Sequence, residues 1–199
     1  MLTPIGPHTV DASAIDHFVL VPLDWKAFIA FVEARGDHGP RLTYLDGYLE
    51  LMSPSSTHEL LKTNLGRLLE IWALDMEVEL NGFGSETLKR ERDQSGVEPD
   101  ECYFVGPRAG RKFPDLAIEV VWTSGTLNRL EVYRRLGVRE VWWWEDGGLT
   151  VWVLRGDRYV RSRKSRLFPK LDLVTLARCA ASQNQTQAVK AFRASYTRH

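Results

Sequence analysis

The segment FPDLAIEVVW, residues 113–122, has the apolar character of a buried strand but contains two carboxylates. Asp115 lies near its start and Glu119 lies in its middle. A central strand of an α/β sheet is normally an almost continuous apolar run. A buried charge without a partner is costly, or its pKa shifts until the group is neutral. Glu119 therefore requires a partner that compensates its charge.

Strand geometry indicates which acid can cooperate with Glu119. Asp115 is on the same face of the strand but roughly 13 Å away, at about 3.3 Å per residue, which is too far to share one small ion. The preceding strand candidate begins within EPDECYFV, and neighbouring strands are only about 4.8 Å apart. Asp100 is therefore predicted to lie at the edge of the sheet within reach of Glu119.

A pair of carboxylates at this distance needs a counter-charge. Two such groups about 4 Å apart repel each other by about 4 kcal/mol at an effective dielectric constant of 20. The pair is therefore predicted to share a proton or to recruit a cation. Hard oxygen ligands without a nearby thiolate favour Mg²⁺ or Mn²⁺ over zinc. Asp100 and Glu119 are the predicted metal ligands.

Composition limits the class of protein. The chain has 199 residues, of which 44% are hydrophobic and 26% are charged, so one domain over residues 1–199 is expected. The formal net charge is zero, so nucleic-acid binding would depend on local basic patches. Cys102 and Cys179 form no CxxC motif or Cys/His cluster, which argues against a disulfide framework or structural zinc. A cytoplasmic protein is expected.

Targeting and membrane segments are not expected. The N-terminal MLTPIGPHTV lacks the basic start and apolar core of a signal peptide. No run approaches 18 consecutive apolar residues, so no membrane partner is predicted. The aromatic strand and the polar C-terminal tail make a homodimer or a higher homo-oligomer the expected assembly.

The sequence of the first half of the chain predicts an arm, a helix, a hairpin and a second helix. Residues 1–22 are interpreted as an irregular arm. Asp24 is a candidate N-cap for a helix that ends at Gly36. The Asp46-Gly47 pair between two alternating runs predicts a hairpin, with Glu50 directed outward on its second strand. The stretch SSTHELLKTNLGRLLEIWALDM follows as an amphipathic helix with Ser and Thr as candidate caps.

The second half predicts a sheet built around the acidic strand. Three successive strand candidates are ELNGFGSETLKRER, ECYFV and DLAIEVVW. A helix over TLNRLEVYRRLG and a tryptophan-rich strand over VREVWWWED come next, which gives the core order α-β-β-β-α-β. A second hairpin turns at Gly156-Asp157, and short helices follow in the tail. The core spans about residues 41–146, and residues 147–199 form the C-terminal hairpin and tail.

This order resembles the restriction-endonuclease-like α/β fold of the PD-(D/E)XK nuclease superfamily, in which a mixed sheet is flanked by helices. Within that superfamily the chain is similar to the bacterial Uma-type family of putative restriction endonucleases. The resemblance is carried by four segments in the same order as in that family. They are DGYLELMSPSSTHE, VEPDECYFV, FPDLAIEVVW and NRLEVYRRLGVREVWWWED.

The resemblance implies a metal-dependent hydrolase of DNA phosphodiester bonds. Asp100 and Glu119 would hold Mg²⁺ or Mn²⁺, and Glu50 would contribute from the edge of the site. The superfamily places a lysine two residues after the strand glutamate, where this chain has Val121. In the Uma-type family a lysine commonly lies four residues before the helical tyrosine, and this chain has Arg129 at that position.

The replacement of lysine by arginine changes the available chemistry. Arg129 can clamp a phosphate with two hydrogen bonds, but a guanidinium does not shuttle protons near neutral pH. Lys62, one turn beyond His58 on the second helix, is a candidate for a replacement amine. Two function classes therefore stay open at this point. One is a working nuclease, and the other is a catalytically weak or silent nuclease fold that acts as a nucleic-acid-binding or oligomeric scaffold.

Several residues also have a purely structural interpretation. Glu50 could be an exposed strand residue, and His58 could belong to a helix cap rather than contact a metal or phosphate. Arg129 could pair with Glu131 or with Glu119. Asp115 is interpreted as a strand-start residue, and the Trp142–Trp144 run as core and interface packing rather than base stacking. One basic cluster could be a solvated face or a DNA-backbone contact. Its members are Arg155, Arg158, Arg161, Arg163, Lys164 and Arg166.

Overall fold

The structure, a computed structural model, describes residues 16–36, 39–121 and 125–197. Within these ranges the chain forms five helices, eleven strands and one 3₁₀ turn. In chain order they are β1 His17–Pro22, α1 Trp25–Arg35, β2 Arg41–Leu45, β3 Tyr48–Ser53, α2 Ser56–Asp75, β4 Leu80–Gly82, β5 Leu88–Arg90, the 3₁₀ turn Glu91–Asp93, β6 Ser95–Val97, β7 Glu101–Val105, β8 Leu116–Val121, α3 Arg129–Leu136, β9 Glu140–Glu145, β10 Gly148–Arg155, β11 Arg158–Ser162, α4 Leu173–Ala180 and α5 Gln185–Tyr196. The mixed α/β class predicted from the sequence is confirmed.

The strands form two sheets, whereas the sequence interpretation assumed one. The larger sheet has the order β11-β10-β9-β8-β7-β4 and contains the acidic strand β8. Its strands pair antiparallel except β8 and β9, which are parallel and are connected through helix α3. A parallel pair requires such a crossover. Helix α3 therefore begins close to the carboxyl end of β8, which is where the acidic strand ends.

The smaller sheet has the order β1-β3-β2-β6-β5 and is antiparallel throughout. The interpretation of residues 1–22 as an irregular arm is wrong for His17–Pro22, which form β1 and pair with β3. Residues 1–15 lie outside the described part of the chain. Because β1 pairs with one edge of β3, the strand that carries Glu50 is an inner strand of its sheet. Glu50 is buried, contrary to the prediction that it is directed outward, because its carboxylate is bonded to Thr126 and Leu127 in the segment before helix α3.

The stretch ELNGFGSETLKRER is not one strand. It contributes β4 to the larger sheet and β5 to the smaller sheet, and the 3₁₀ turn and β6 follow. Gly82 and Gly84 interrupt the stretch, and Gly84 has a φ of +56° that an ordinary strand residue does not adopt. The chain crosses from one sheet to the other at this point, so the predicted single strand is corrected to two short ones.

The predicted turns and caps are present. Asp46 and Gly47 have φ values of +49° and +88°, the positive pair that a tight two-residue hairpin requires. The second hairpin turns at Gly156-Asp157, between β10 and β11. The Asp24 side chain accepts a hydrogen bond from Ala27 N at the start of α1, and Ser55 caps α2 in the same way. Local sequence signals therefore fix the ends of these elements.

Three apolar clusters hold the sheets and helices together. The largest packs α2, α4 and α5 against the larger sheet and includes Trp72, Trp142 and Phe168. A second lies around α3, with Val132 and Tyr133 at its centre. The third cluster joins α1 to the smaller sheet. Most of the remaining residues in the three clusters are aliphatic. Within the described ranges, the structure has no helix that is long and apolar enough to span a bilayer.

Candidate functional site

Asp100 and Glu119 lie side by side at the junction of β7 and β8. Asp100 directly precedes β7, whose first residue, Glu101, pairs with Ile118 of β8. Its Oδ2 accepts a hydrogen bond of 2.7 Å from the backbone N–H of Val120, the residue after Glu119. Both acids are 0% exposed. The two acids singled out from the sequence are therefore brought together by the pairing of these strands.

Helix α3 supplies the partners of Glu119. Nη1 of Arg129 lies 2.5 Å from Oε2 of Glu119, and the Tyr133 hydroxyl donates to Oε1. Arg129 and Tyr133 are four residues apart, so both project from one face of the helix. Glu131 instead pairs with Arg134 and with the arginine after it. Of the two partners considered for Arg129, the structure therefore shows Glu119.

The protonation of Glu119 is balanced between two states. Burial raises its pKa to about 7, helped by repulsion from Asp100 and opposed by the positive charge of Arg129 and by the hydrogen bond from Tyr133. The guanidinium of Arg129 stays charged, because its carboxylate neighbours raise its pKa despite burial. Near neutral pH, Glu119 can therefore hold a proton or release it at small cost.

Asp100 has a different partner, the buried side chain of His58. His58 Nε2 lies 2.9 Å from Asp100 Oδ1, although the two atoms are not aligned as a hydrogen bond, and His58 Nδ1 lies 3.0 Å from Asp16 Oδ2. Burial lowers the pKa of His58, but the two aspartates outweigh it and raise the pKa to about 9. Burial raises the pKa of Asp100, but His58 and the charge of Arg129 hold it below its usual value. An imidazolium between two carboxylates results.

Glu50 anchors the segment that leads into α3. Its Oε2 accepts hydrogen bonds from the backbone N–H and the hydroxyl of Thr126, at 2.5 and 2.7 Å, and from Leu127 N at 3.2 Å. Its Oε1 is buried and has no hydrogen-bond partner within the described structure. A side chain on Gly125 would collide with this carboxylate. Glu50 thus holds the start of α3, and with it Arg129, close to the acidic strand.

Lys62 and Asp115 are engaged elsewhere. The Lys62 amine pairs with Glu59 on the same helix at 2.9 Å, and no described contact joins it to Asp100 or Glu119. Asp115 accepts from the backbone N–H of Val105 and pairs with Arg111 and Arg139 just before β8 begins. Its position agrees with the interpretation as a strand-start residue.

The cluster contains more negative than positive groups. Asp16, Glu50, Asp100 and Glu119 are its carboxylates, and His58 and Arg129 are its buried cations. Arg41 adds a third cation, with Nε 3.8 Å from Asp100 Oδ1. Four acids against three cations leave one excess negative charge when every group is ionised. A proton on Glu119 or an additional cation would remove that excess.

Four buried polar atoms of the cluster have no hydrogen-bond partner in the described structure. Two are carboxylate acceptors, Asp100 Oδ1 and Glu50 Oε1, and two are nitrogens, Arg129 Nη2 and His58 Nε2. Buried polar atoms are normally satisfied, because an unsatisfied one costs about 1–3 kcal/mol. Asp100 Oδ1 and His58 Nε2 nevertheless face each other at 2.9 Å as an ion pair, so the unused capacity is for a cation at Glu50 Oε1 and for an anion at Arg129 Nη2.

The fit of these residues to a divalent metal is partial. Within residues 16–36, 39–121 and 125–197, no three His, Cys, Asp or Glu side chains converge as ligands of one ion. The predicted trio of Glu50, Asp100 and Glu119 is therefore not arranged as a three-carboxylate centre. The unpartnered Oε1 of Glu50 and the Oδ1 of Asp100, which faces His58, are nevertheless hard donors of the kind that Mg²⁺ and Mn²⁺ prefer.

The space beside the cluster is small. A cavity of about 70 Å³ is lined by Arg129, Asp16, Gly125 and Trp143 together with apolar side chains. A water molecule takes about 30 Å³ in the liquid, so the cavity has room for an ion or a few waters but not for a nucleotide. Trp142 and Trp144 are buried in the core. The packing interpretation of the tryptophan run is correct for these two residues.

Sequence reasoning missed or underrated three members of the cluster. Asp16 was assigned to the irregular arm, and its contact with His58 spans 42 residues. His58 was considered mainly as a residue of a helix cap, although its place within STHE next to a capping serine was visible. For Tyr133 the sequence predicts no role, and this residue is used only to identify the position of Arg129 on the helix. The i to i+4 spacing of Arg129 and Tyr133 was the one sequence signal that linked two of the partners.

The chain was compared with protein families, curated proteins and solved structures. A family model described as "Uma2: Putative restriction endonuclease" matches residues 28–184. A solved structure of a putative nuclease of DUF820 from Anabaena variabilis is similar over 86% of this chain and 99% of that chain, with 13% identity and a TM-score of 0.49. No curated protein matches the sequence.

Proposed function

Because this chain belongs to the Uma2 family of putative restriction endonucleases, we propose that it hydrolyses DNA phosphodiester bonds with Mg²⁺ or Mn²⁺ held by Asp100 and Glu119. The observation that carries this proposal is the set of unpartnered buried atoms. Glu50 Oε1 can accept a cation, a divalent ion can take the place of the His58 imidazolium beside Asp100 Oδ1, and Nη2 of Arg129 can donate to a phosphate oxygen. A metal-assisted phosphodiesterase needs both capacities in one place.

Each residue has a defined part in this proposal. A bound divalent cation supplies an activated water and neutralises charge on the phosphate. His58, held by Asp16, orients Asp100, while Tyr133 and Arg129 orient Glu119. Arg129 Nη2 binds a phosphate oxygen, and Glu50 fixes the segment before α3 so that Arg129 stays in place. Both oxygens of Glu119 are engaged by Arg129 and Tyr133, and its pKa, raised to about 7, lets the site lower its negative charge by holding a proton.

A second candidate function is a nuclease fold with little or no catalysis that acts as a nucleic-acid-binding or oligomeric scaffold. The ion pair between Arg129 and Glu119 favours it, because the guanidinium already compensates the charge that a metal would otherwise neutralise. The small cavity next to Arg129 favours it as well, since its volume of about 70 Å³ has no room for a nucleotide. Location in the cytoplasm and a homodimeric assembly remain predictions under both functions.

The test of the proposal is nicking of supercoiled plasmid across a series of metal ions. Wild-type protein is expected to nick slowly with Mn²⁺, and Glu119→Gln is expected to be inactive. Arg129→Lys should raise the rate at least several-fold, because an amine can hold the phosphate and also exchange a proton. Arg129→Ala should weaken DNA binding without creating activity. Asp115→Asn is the matched control, since it removes a paired carboxylate from the same strand region.

Two results would contradict the proposal. Absence of metal-dependent nicking in both wild type and Arg129→Lys would favour the scaffold function. Robust wild-type cleavage that survives Arg129→Ala would mean that another residue provides the cation at the phosphate. The Lys62→Ala variant then decides whether that residue is Lys62. Loss of cleavage in this variant would assign the role to an amine that pairs with Glu59 in the present structure.

A further inference from the structure

The arginines of this protein fall into two groups that differ in their partners. Most of those within the described ranges are ion-paired with a carboxylate. The paired ones are Arg35, Arg41, Arg90, Arg92, Arg108, Arg111, Arg129, Arg134, Arg135, Arg139 and Arg193. The others form no ion pair with a described carboxylate, and all but Arg67 lie between residues 155 and 178. Although the formal net charge of the chain is zero, the arginines without a carboxylate partner are concentrated in one region of the sequence.

The sequence of this region is strongly basic. Between residues 148 and 178 there are eight Lys and Arg residues and only two acids, Asp157 and Asp172. Asp172 is already engaged, because its side chain caps helix α4 by accepting from the backbone N–H groups of Val174 and Thr175. The positive charge of this segment is therefore not compensated from within it.

These cations border a groove between the β10–β11 hairpin and α4. The groove has a volume of about 830 Å³, and Arg161, Arg163 and Arg178 are its charged lining residues. No Asp or Glu lines it within the described structure. Its floor includes Leu173, Val174 and Ala177, and Val174 is 79% exposed. We refer to this feature as the arginine groove.

We propose that the arginine groove binds the sugar–phosphate backbone of duplex DNA. This inference rests on the proposed nuclease function for the identity of the polyanion, and on the groove itself for the place of binding. Arginine presents a planar fork of donors that matches a phosphate. The three arginines that line the groove have no carboxylate partner in the described structure, and Arg161 is stacked on Trp152 beside it, so all three are available to successive phosphates. The groove is distinct from the acidic cluster, whose residues do not line it.

The chemistry of the groove favours a duplex over a single strand. Proteins that bind single strands generally stack bases on exposed aromatic rings. No aromatic side chain lines the arginine groove, and the nearby ring of Trp152 is covered by the guanidinium of Arg161, 5.1 Å from its centroid. Contacts to the sugar–phosphate backbone set the position of the duplex on the protein, but they do not discriminate between base sequences. The groove would thus hold DNA regardless of sequence.

The test measures duplex binding as a function of salt concentration, in EDTA so that no cleavage can occur. Fluorescence anisotropy compares the full-length wild type with a triple variant, Arg161→Gln, Arg163→Gln and Arg178→Gln. Each lost phosphate contact reduces the slope of log K against log salt by about 0.9, so the expected reduction is about 2.7. Affinity should fall about ten- to a hundred-fold at low salt. Glutamine keeps the edge strand polar, so the variant stays folded.

The control variant removes three exposed positive charges outside the groove through Lys26→Ala, Arg92→Ala and Lys112→Ala. It should leave the slope of log K against log salt unchanged. Arg→Lys substitutions at the three groove positions should restore the slope. An unchanged slope in the glutamine variant, or an equal reduction in the control, would overturn the proposal. Tighter binding of single strands than of duplex would also overturn it. Dissociation of a dimer without a change in DNA binding would instead assign the groove to a second copy of the chain.

This binding test is independent of catalysis. If the arginine groove binds DNA but no variant nicks plasmid, the nuclease proposal fails and the groove survives as the nucleic-acid contact of a scaffold. If the glutamine variant keeps both its DNA affinity and its nicking activity, the groove proposal fails and the nuclease proposal survives. The two outcomes are therefore distinguishable.

Discussion

Two buried glutamates on neighbouring parallel strands have contrasting surroundings. Glu119 on β8 and Glu140 on β9 are both at most 1% exposed. Glu140 receives four hydrogen bonds from neutral donors and needs no cation. They come from Ser165 Oγ and Trp142 Nε1 on one oxygen and from the backbone N–H groups of Arg166 and Leu167 on the other. Glu119 receives one donor on each oxygen and lies among buried atoms without partners.

This difference separates a structural acid from a candidate reactive one. Three of the four donors of Glu140 come from the loop that follows β11, so its charge fastens that loop to the sheet. Its acceptor capacity is used up, which leaves nothing for a ligand. Around Glu119 an excess negative charge and unused donors and acceptors coexist. Burial alone therefore does not identify a site, whereas the balance of donors, acceptors and charges around a buried acid does.

The largest effect expected from this comparison is on stability at Glu140. Glu140→Gln turns one acceptor oxygen into a donor that faces other donors, so we expect a loss of about 2–4 kcal/mol in the free energy of unfolding. Glu119→Gln keeps an acceptor for Tyr133 or Arg129 and removes repulsion from Asp100, so its change should be below about 1 kcal/mol. Urea unfolding at pH 7.5 measures both. Equal losses in the two variants would remove the distinction.

Arg129→Met should destabilise the protein in a pH-dependent way. It leaves Glu119 without its cation, which should cost about 2–3 kcal/mol at pH 8. At pH 5.5 Glu119 can take up a proton, so the loss should be smaller. Arg108→Met is the control, because it removes an ion pair with Glu86 in which both side chains are exposed, worth at most about 1 kcal/mol. A loss that does not change with pH would argue that Arg129 acts through packing alone.

The collision between Gly125 and Glu50 gives a third prediction. Gly125→Ala should displace the Glu50 carboxylate or the segment before α3, at a cost of about 1–3 kcal/mol. It should also reduce any metal-dependent nicking. Gly148→Ala is a matched control, because the nearest atom to its added Cβ would be 3.7 Å away. Thermal unfolding of the two variants compares them, and similar melting temperatures would contradict the described role of Glu50.

A further expected effect is the pH dependence of wild-type stability. The pKa of Glu119 is raised to about 7 in the folded state. Its contribution is therefore present below the pKa of an unfolded glutamate, about 4.3, and is lost as pH rises towards 7. The pKa of His58 is raised to about 9, so its contribution persists below about 6.5 and is lost as pH rises through 9. Glu119→Gln should remove only the first slope, and His58→Gln only the second.

Much of the local structure could be predicted from the sequence. The Asp46-Gly47 and Gly156-Asp157 turns, the Asp24 cap and the apolar stripe of α2 are signals contained in a few adjacent residues. The strand β1 could not be predicted in the same way, because HFVLVP has neither regular alternation nor turn residues on both sides. Its pairing with β3 supplies the reason for the strand, and that pairing is a long-range contact.

The site was predictable to a similar degree. Glu119 stands out because it interrupts an apolar run, and Asp100 follows from the spacing of adjacent strands. The inward orientation of Glu50 depends on hydrogen bonds from Thr126 and Leu127, 76 and 77 residues further along the chain, so the sequence alone predicts the opposite. The bridge from Asp16 through His58 to Asp100 joins three separate segments, and no local pattern reports it. Glu140 gave no signal either, because its donors follow it by 25 residues or more, apart from the side chain of Trp142.

The central claim is that the acids around Glu119 have capacity for a divalent cation and that Glu140 has none. Titration calorimetry with Mn²⁺ tests it directly, on the wild type and on Asp100→Asn, Glu119→Gln and Glu140→Gln. One Mn²⁺ per chain is expected for the wild type, and binding should weaken at least ten-fold in the first two variants but persist in folded Glu140→Gln. Wild-type protein that takes up no Mn²⁺, or binding that is equal in all four proteins, would contradict the claim.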